Sequence, residues 1–293
     1  AGQAPASEER GEDIQEILNY RAAMRRAREL LQSLPLSLRV IRESHSVLLK
    51  GVRGQNKAPG EFRRVQNWIG PPGCSIEQAY YIPISAEKLP DHLSSWEKFA
   101  NSNYADILVQ LGLLHAEFEA LHPFLDGNGR LGRMIIPLFL CQKGLIRQPM
   151  FYISAFFESN REAYYDSLLA VSKDNDWTGW CRFFLQAVQT QAEDNLQKAQ
   201  GILELYNALK TQIPALTHSQ YSLKALDWIF GHPIFNHSVF VESCGIPEPT
   251  AKRILSVLET SGILKILVKG KGRRSTVAMF PALLNIAEGR KPF

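Results

Sequence analysis

The chain has 293 residues, 45% of them hydrophobic and 21% charged, with four cysteines and a net charge of +4. This composition excludes a disordered chain and supplies apolar side chains for two or three domain cores. The longest apolar run near the centre, 134–141, is far short of a bilayer span and contains Pro137, so no membrane partner is expected.

The first residues, AGQAPASEERGED, lack the apolar core of a secretory leader, and the absence of an initial methionine reads as a fragment. Cys74, Cys141, Cys181 and Cys244 are dispersed, which reads as reduced thiols of a cytoplasmic protein rather than a disulfide frame or zinc site. Charge is uneven. From His218 onward there are ten Lys/Arg against five Asp/Glu, leaving 23 against 24 for the first 217 residues. The positive excess belongs to the C-terminal part.

Residues 1–11 read as a loose polar tail. Ile14, Ile17, Leu18, Met24, Leu30 and Leu31 recur at helical spacing and predict an amphipathic helix halted at Pro35. A second helix is predicted over 37–50. The Gly- and Pro-rich stretch that follows predicts a β-hairpin over 61–83. Phe62, Val65, Trp68 and Ile69 form one strand, and Ala79, Tyr80, Tyr81 and Ile82 the other, around a turn at 70–73. Helices are then predicted over 91–100, 104–121, from the central motif to Gly144, over 158–172, and over 176–209 as a long connector. Pro214 and the polar run 217–219 mark a boundary. Beyond it come a helix over 223–230, a short one over 238–243, a turn, a helix over 249–260 and two strand-like runs around a basic glycine turn.

The stretch HPFLDGNGRLGR, residues 122–133, carries the chemistry. Gly127, Gly129 and Gly132 satisfy the spacing of a dinucleotide fingerprint. That fingerprint needs a strand before it and an acid about twenty residues on; here a helix precedes and the next acid is Glu158. His115 and Glu117 lack the i, i+4 histidine pair of a metalloprotease. The glycines instead allow backbone amides to form an anion nest at a helix N-terminus. Arg130 and Arg133, three apart, can fork onto phosphate oxygens. Asp126 is a hard ligand suited to magnesium, His122 can accept a hydroxyl proton, and Phe124 would anchor the loop. The plainer alternative is a capping loop with solvated arginines.

HPFLDGNGRLGR matches every defined position of the signature H-x-F-x-[DE]-G-N-G-R-x-x-R and so resembles the Fic family of adenylyltransferases. PGEFRRVQNWIG and AYYIP resemble its hairpin flap, LNYRAA and LPLSLRVIRESH its N-terminal region, and YISAFFESNREAYYDSL the segment flanking its nucleotide pocket. The resemblance implies ATP as substrate, magnesium on Asp126 and His122 as general base for a target hydroxyl. Gly127, Asn128 and Gly129 would hold the inner phosphates, with Arg130, Gly132 and Arg133 completing the cradle. Gly129, where the phosphorylating branch has lysine, favours transfer of AMP to Ser, Thr or Tyr. Asn160 and Tyr164 or Tyr165 would line the adenine side. Val65, Gln66, Asn67, Trp68, Ile69, Tyr81 and Ile82 of the flap would pair with an extended target segment. The inhibitory pattern [ST]-x-x-x-E-[GN] finds no match. The expectation is therefore that the chain starts beyond it or is inhibited in trans, and that ATP reacts without activation.

The expected fold is mainly α. Residues 12–210 form a Fic-type helical core with its flap and long connector helix, and 211–293 a small α+β winged-helix domain. In the latter, Lys252, Arg253, Lys269, Lys271, Arg273 and Arg274 are candidate nucleic-acid contacts. Such domains also serve as docking or dimerisation modules, so DNA and a homodimer both stay open as partners. The leading function is a protein adenylyltransferase; the alternative is a DNA-binding regulator whose Fic region only senses nucleotide.

Overall fold

Helical periodicity governs nearly the whole chain. The computed structural model describes residues 6–52, 54–71, 73–271 and 275–289, in which the helices alternate with short loops. The chain divides into two units, Ala1–Ala192 and Glu193–Phe293.

In the first unit, α1 (Ala6–Leu30) packs on α2 (Leu38–Leu48) through Ala23, Ala27, Val40, Ile41 and Leu48, all buried. Residues 6–11 are helical rather than a loose tail. Alanine, glutamate and arginine are good helix formers, and acids suit a helix N-terminus, so polarity alone was a poor guide. Ser37 caps α2 by accepting the Val40 N–H at 3.5 Å.

Helices α3 (Leu89–Ala100), α4 (Ile107–Leu121) and α5 (Asn128–Gln142) form the centre of this unit. Asp106 caps α4 by accepting from Leu108 and Val109 at 2.8 and 3.0 Å. Apolar on almost every face, α4 is buried as its sequence requires. Short α6 (Ser154–Ser159) and α7 (Arg161–Asp174) precede α8 (Trp177–Thr217). The Trp180 ring N–H donates to the Gly112 carbonyl at 2.8 Å, and a side chain on Gly112 would meet Phe184 at 3.1 Å.

The predicted hairpin over 61–83 is a correction. Among the described residues its only ladder contact is one antiparallel bridge, Ile69↔Tyr81, with a 3-10 turn at Ile76–Gln78 between the two limbs. Side chains replace the ladder. The Gln66 amide donates to the Pro83 carbonyl at 2.8 Å, and Tyr81 Oη to the Ala120 carbonyl at 3.1 Å. Prolines flanking the limbs cannot donate ladder bonds, which accounts for the shortfall.

Arg63 is 3% exposed. Its guanidinium donates to the carbonyls of Leu121 (3.3 Å), His122 (3.1 Å), Val65 (3.3 Å) and Ile84. Two of these are orphan acceptors at the C-terminal end of α4, where a cation also complements the helix dipole.

The predicted domain boundary at 210/211 lies within α8, and the two units meet at 192/193, in the same helix. Pro214 does not stop it. Proline removes only its own N–H, and the Thr217 hydroxyl and His218 N–H still bond to Ile213 (2.8 Å) and Pro214 (2.9 Å). The second unit continues with α9 (Ser222–Gly231), β1 (Ile234–Asn236), α10 (His237–Ser243), α11 (Glu248–Thr260), β2 (Lys265–Val268), β3 (Val277–Met279) and α12 (Pro281–Glu288). The sheet is antiparallel in the order β1-β3-β2, with Phe235 opposite Ala278 and Ile266 on the other side of Ala278. Its core contains Leu226, Phe240, Ile254, Leu258 and Phe280. No described helix is long and apolar enough to cross a membrane.

Arg63→Ala strands buried carbonyls and should destabilise the protein by roughly 2–4 kcal/mol in urea unfolding. Arg63→Lys should recover less than half of that loss, because an ammonium cannot span four acceptors in one plane.

Candidate active site

The loop 122–127 joins α4 to α5 and is bracketed by two left-handed residues. His122 ends α4 at φ 44°, and Gly127 starts α5 at φ 80°. A non-glycine residue rarely adopts such a conformation unless neighbours hold it. Here they do. The His122 carbonyl accepts from Arg63 and from Asn67 Nδ2 (3.0 Å), and the Pro123 carbonyl from the Arg63 backbone N–H (2.9 Å).

Phe124 is fully buried, as expected, and stacks on His45 with ring centroids 3.8 Å apart. His45 was missed in the sequence, where nothing but its place among apolar residues marked it. The Gly60 N–H donates to its Nδ1 (2.8 Å), so its proton sits on Nε2, which donates to the Asp126 carbonyl at 2.8 Å. Burial holds its pKa below the usual histidine value.

His122 Nδ1 lies 3.3 Å from the Glu119 carbonyl. A carbonyl only accepts, so Nδ1 carries the proton and Nε2 keeps its lone pair. Burial pushes the His122 pKa down to about 4, with Arg63 adding to the shift against the Glu119 carbonyl and Asp126. The imidazole is therefore an unprotonated base at neutral pH.

Helix α5 begins where this loop ends. Its first internal bond is Leu131 N–H to Gly127 carbonyl (3.0 Å), so the N–H groups of residues 128–130 have no helical acceptor. Arg133 lies against Gly129 of this turn: a side chain there would meet Arg133 Nη1 at 3.2 Å. Among the described residues Arg133 has no ion pair. Arg130 is held instead, with Nη1 3.0 Å from Glu16 of α1 and Nη2 3.6 Å from Asp126. Glu16 is a second contributor that the sequence reading missed.

Asp126 uses Oδ1 to accept the Gly127 N–H at 2.6 Å, while Oδ2 faces Gly54, where a Cβ would come within 2.8 Å. No described cluster of three or more His, Cys, Asp or Glu side chains surrounds it. One carboxylate fits magnesium nonetheless, because that ion completes its octahedron with water and substrate phosphates.

Two expected phosphate ligands have other duties. Asn128 is buried, and its amide spans the loop, accepting from the Phe124 N–H (2.9 Å) and donating to the Phe124 carbonyl (2.8 Å). The Gly127 N–H belongs to Asp126. Gly132 leaves room for its neighbour, since a Cβ there would overlap Glu119 Oε1. Tyr164 is a core residue whose hydroxyl lies 2.9 Å from His115 Nε2, amid Phe157, Trp180 and Phe184. Asn160 bonds the Phe156 carbonyl between α6 and α7 (2.9 Å). Tyr165 is half exposed beneath Arg161, with the guanidinium 5.9 Å from its ring centre, and of the two tyrosines it alone reaches the surface. On the flap, Val65, Trp68 and Ile82 are exposed, whereas Asn67 and Gln66 are tied to backbone carbonyls.

Glu119 is the least expected member. Its Oε1 is sealed from solvent against Gly132 without a hydrogen bond among the described residues. Burial pushes its pKa up to about 7 despite the nearby Arg133 charge. Between the unfolded carboxyl value and 7, the native state binds more protons than the unfolded state, so stability falls as pH rises through that window. Glu119→Gln should therefore raise the urea-unfolding free energy by about 2 kcal/mol at pH 8 and leave it unchanged near pH 4.5.

A model of the Fic/DOC family matches residues 35–140. Curated relatives include the protein adenylyltransferase Fic of Drosophila grimshawi, 27% identical over 59% of this chain and 33% of its own length. That of Drosophila mojavensis is 26% identical over 74% of this chain and 39% of its own. A probable protein adenylyltransferase of Aquifex aeolicus is 32% identical over 25% of this chain and 23% of its own. The chain spans about a third of the length of the Drosophila relatives it matches. A Fic family protein from Desulfovibrio desulfuricans, 18% identical, has the same fold with a TM-score of 0.54 over 95% of this chain and 77% of its own. Every defined signature position is present in the loop and the start of α5, inside the residues that the Fic/DOC family model matches.

Proposed function

We propose that this site transfers AMP from ATP to the hydroxyl of a protein side chain. One observation carries the reading: a neutral His122 stands beside a helix N-terminus whose amides at 128–130 have no acceptor among the described residues, with Arg133 against Gly129 of the same turn. The nest and Arg133 hold the polyphosphate. The target oxygen attacks the α-phosphorus, its proton passes to His122 Nε2, the bond from the α-phosphorus to the bridging oxygen breaks, and pyrophosphate leaves. Positioning and charge stabilisation supply most of the acceleration in such chemistry. Asp126 would hold magnesium, which offsets phosphate charge when bound. The names of the relatives support the same reaction, and the exposed Val65, Trp68 and Ile82 of the flap suit an extended target segment.

The second unit suits a winged helix, with β1 between α9 and α10 and β2–β3 as the wing. Its candidate DNA contacts are weaker than their sequence implied. Lys252 pairs with Glu248 at 2.6 Å, and Arg253 donates to the Thr217 carbonyl at 2.8 Å. Lys269 and Lys271 are exposed; Arg273 and Arg274 lie outside the described residues. Glu242, Glu248 and Glu259 share the cleft between α10 and α11, which disfavours phosphate there. A docking module fits this face better than a DNA reader.

Incubation with α-labelled ATP, magnesium and cell extract should place label on protein. His122→Ala should lower the initial rate by roughly 100-fold or more with ATP binding retained. Equal labelling by the variant, or no labelling by the unaltered chain, overturns the assignment.

A further inference from the structure

A second concave site lies on the far side of α4. Successive helical residues turn by about 100°, so Glu117 and Glu119 point in nearly opposite directions. Glu119 faces Gly132 and the phosphate cradle. Glu117 faces a cleft of about 710 Å³ between α3, α4 and the start of α8.

Aromatic rings make up part of the walls of that cleft, beside the aliphatic Val109 and Leu113. Trp96, Phe99, Tyr104 and Trp177 line it, and Phe99 and Tyr104 meet edge to face at 5.5 Å. The Trp96 ring N–H is spent on the Leu114 carbonyl (2.9 Å) and that of Trp177 on Asn175 Oδ1 (2.9 Å), so both indoles offer the cleft apolar surface. Glu117 is half-buried and, among the described residues, makes no hydrogen bond or ion pair shorter than 4 Å. His92 lies at the rim, and burial outweighs its influence, so the Glu117 carboxyl is held above its usual pKa. A carboxylate in such surroundings gains most from a ligand that brings both a charge and donors.

We propose that this cleft binds a small organic amine in its cationic form, with the apolar body against the four rings and the ammonium on Glu117. The volume lies in the range of small-molecule sites, roughly 300–1,000 Å³. Rings next to a carboxylate favour a cation twice over, through their electron-rich faces and through direct pairing. The carboxylate disfavours an occupant that carries phosphate.

Phenethylamine, charged at pH 7, is the probe, and 2-phenylethanol its neutral counterpart of nearly equal size. Titration of the full chain should give a saturable change in tryptophan fluorescence with the amine. Its affinity should exceed that of the alcohol by at least about tenfold. Glu117→Gln should remove that preference, Trp177→Ala should weaken both ligands, and saturating ATP should leave amine affinity unchanged. No saturable signal, or an alcohol that binds as well as the amine, overturns the proposal. The amine–alcohol comparison on the unaltered chain decides it even if a variant fails to fold. A failed labelling reaction at His122 has no bearing on it.

Discussion

The loop between α4 and α5 exists because its carbonyl oxygens are captured. Between Leu121 and Asp126 the backbone leaves one helix, turns left-handed at His122 and again at Gly127, and enters another. A segment that tight cannot satisfy its own acceptors. Arg63 takes the carbonyls of Leu121 and His122, the Arg63 N–H takes Pro123, Asn67 and Asn128 share Phe124, and His45 takes Asp126. Buried carbonyls left unpaired would each cost on the order of 1–3 kcal/mol. The consequence for chemistry is directional. With the carbonyls of Leu121, His122, Pro123, Phe124 and Asp126 turned toward protein, the donors at the start of α5 are left to face a substrate.

Burial then sets the protonation states. His45, His115 and His122 are all held below the ordinary histidine value, and in each case desolvation is the largest cause. The same force drives Glu119 upward. At neutral pH the imidazoles are uncharged, and the positive potential at the cradle comes from arginines, which do not deprotonate. A base and an anion clamp can then coexist within one loop, because the group that accepts the proton contributes no charge of its own.

Much of this was legible in the residues. The helices of the first unit followed from apolar spacing, and the motif's loop joins α4 to α5 with His122 and Gly127 at its ends. What stayed hidden came from distant segments. Arg63 and His45 are separated by 59 and 81 positions from the carbonyls of His122 and Asp126 that they hold, and no local pattern distinguishes a buried arginine from a solvated one. Glu16 reaches Arg130 from the first helix in the same way. The hairpin was overcalled because apolar residues on either side of a Gly-Pro turn satisfy a strand pattern, whereas prolines and side-chain bonds had already taken the ladder positions. In the second unit, β1 is three residues long and too short for periodicity, while α12 did carry its signals, Pro281 at the start and a left-handed Gly289 at the end.

The three glycines that imitate a dinucleotide fingerprint show why spacing alone misleads. Gly127 is needed for its positive φ and because His45 Nε2 and Leu49 Cδ2 would each lie 3.2 Å from a Cβ. Gly129 leaves room for the guanidinium of Arg133, and Gly132 leaves room for the carboxylate of Glu119. In the dinucleotide fold the third glycine of such a pattern admits a helix against a strand. Here it admits an acid against the first turn of a helix, beside the arginine that would meet a triphosphate. That placement puts a group of pKa about 7 within electrostatic reach of Arg133. The identical letters thus serve an unrelated geometry, in which the small residues exist to bring charged side chains close to the helix start rather than to bring backbone close to pyrophosphate.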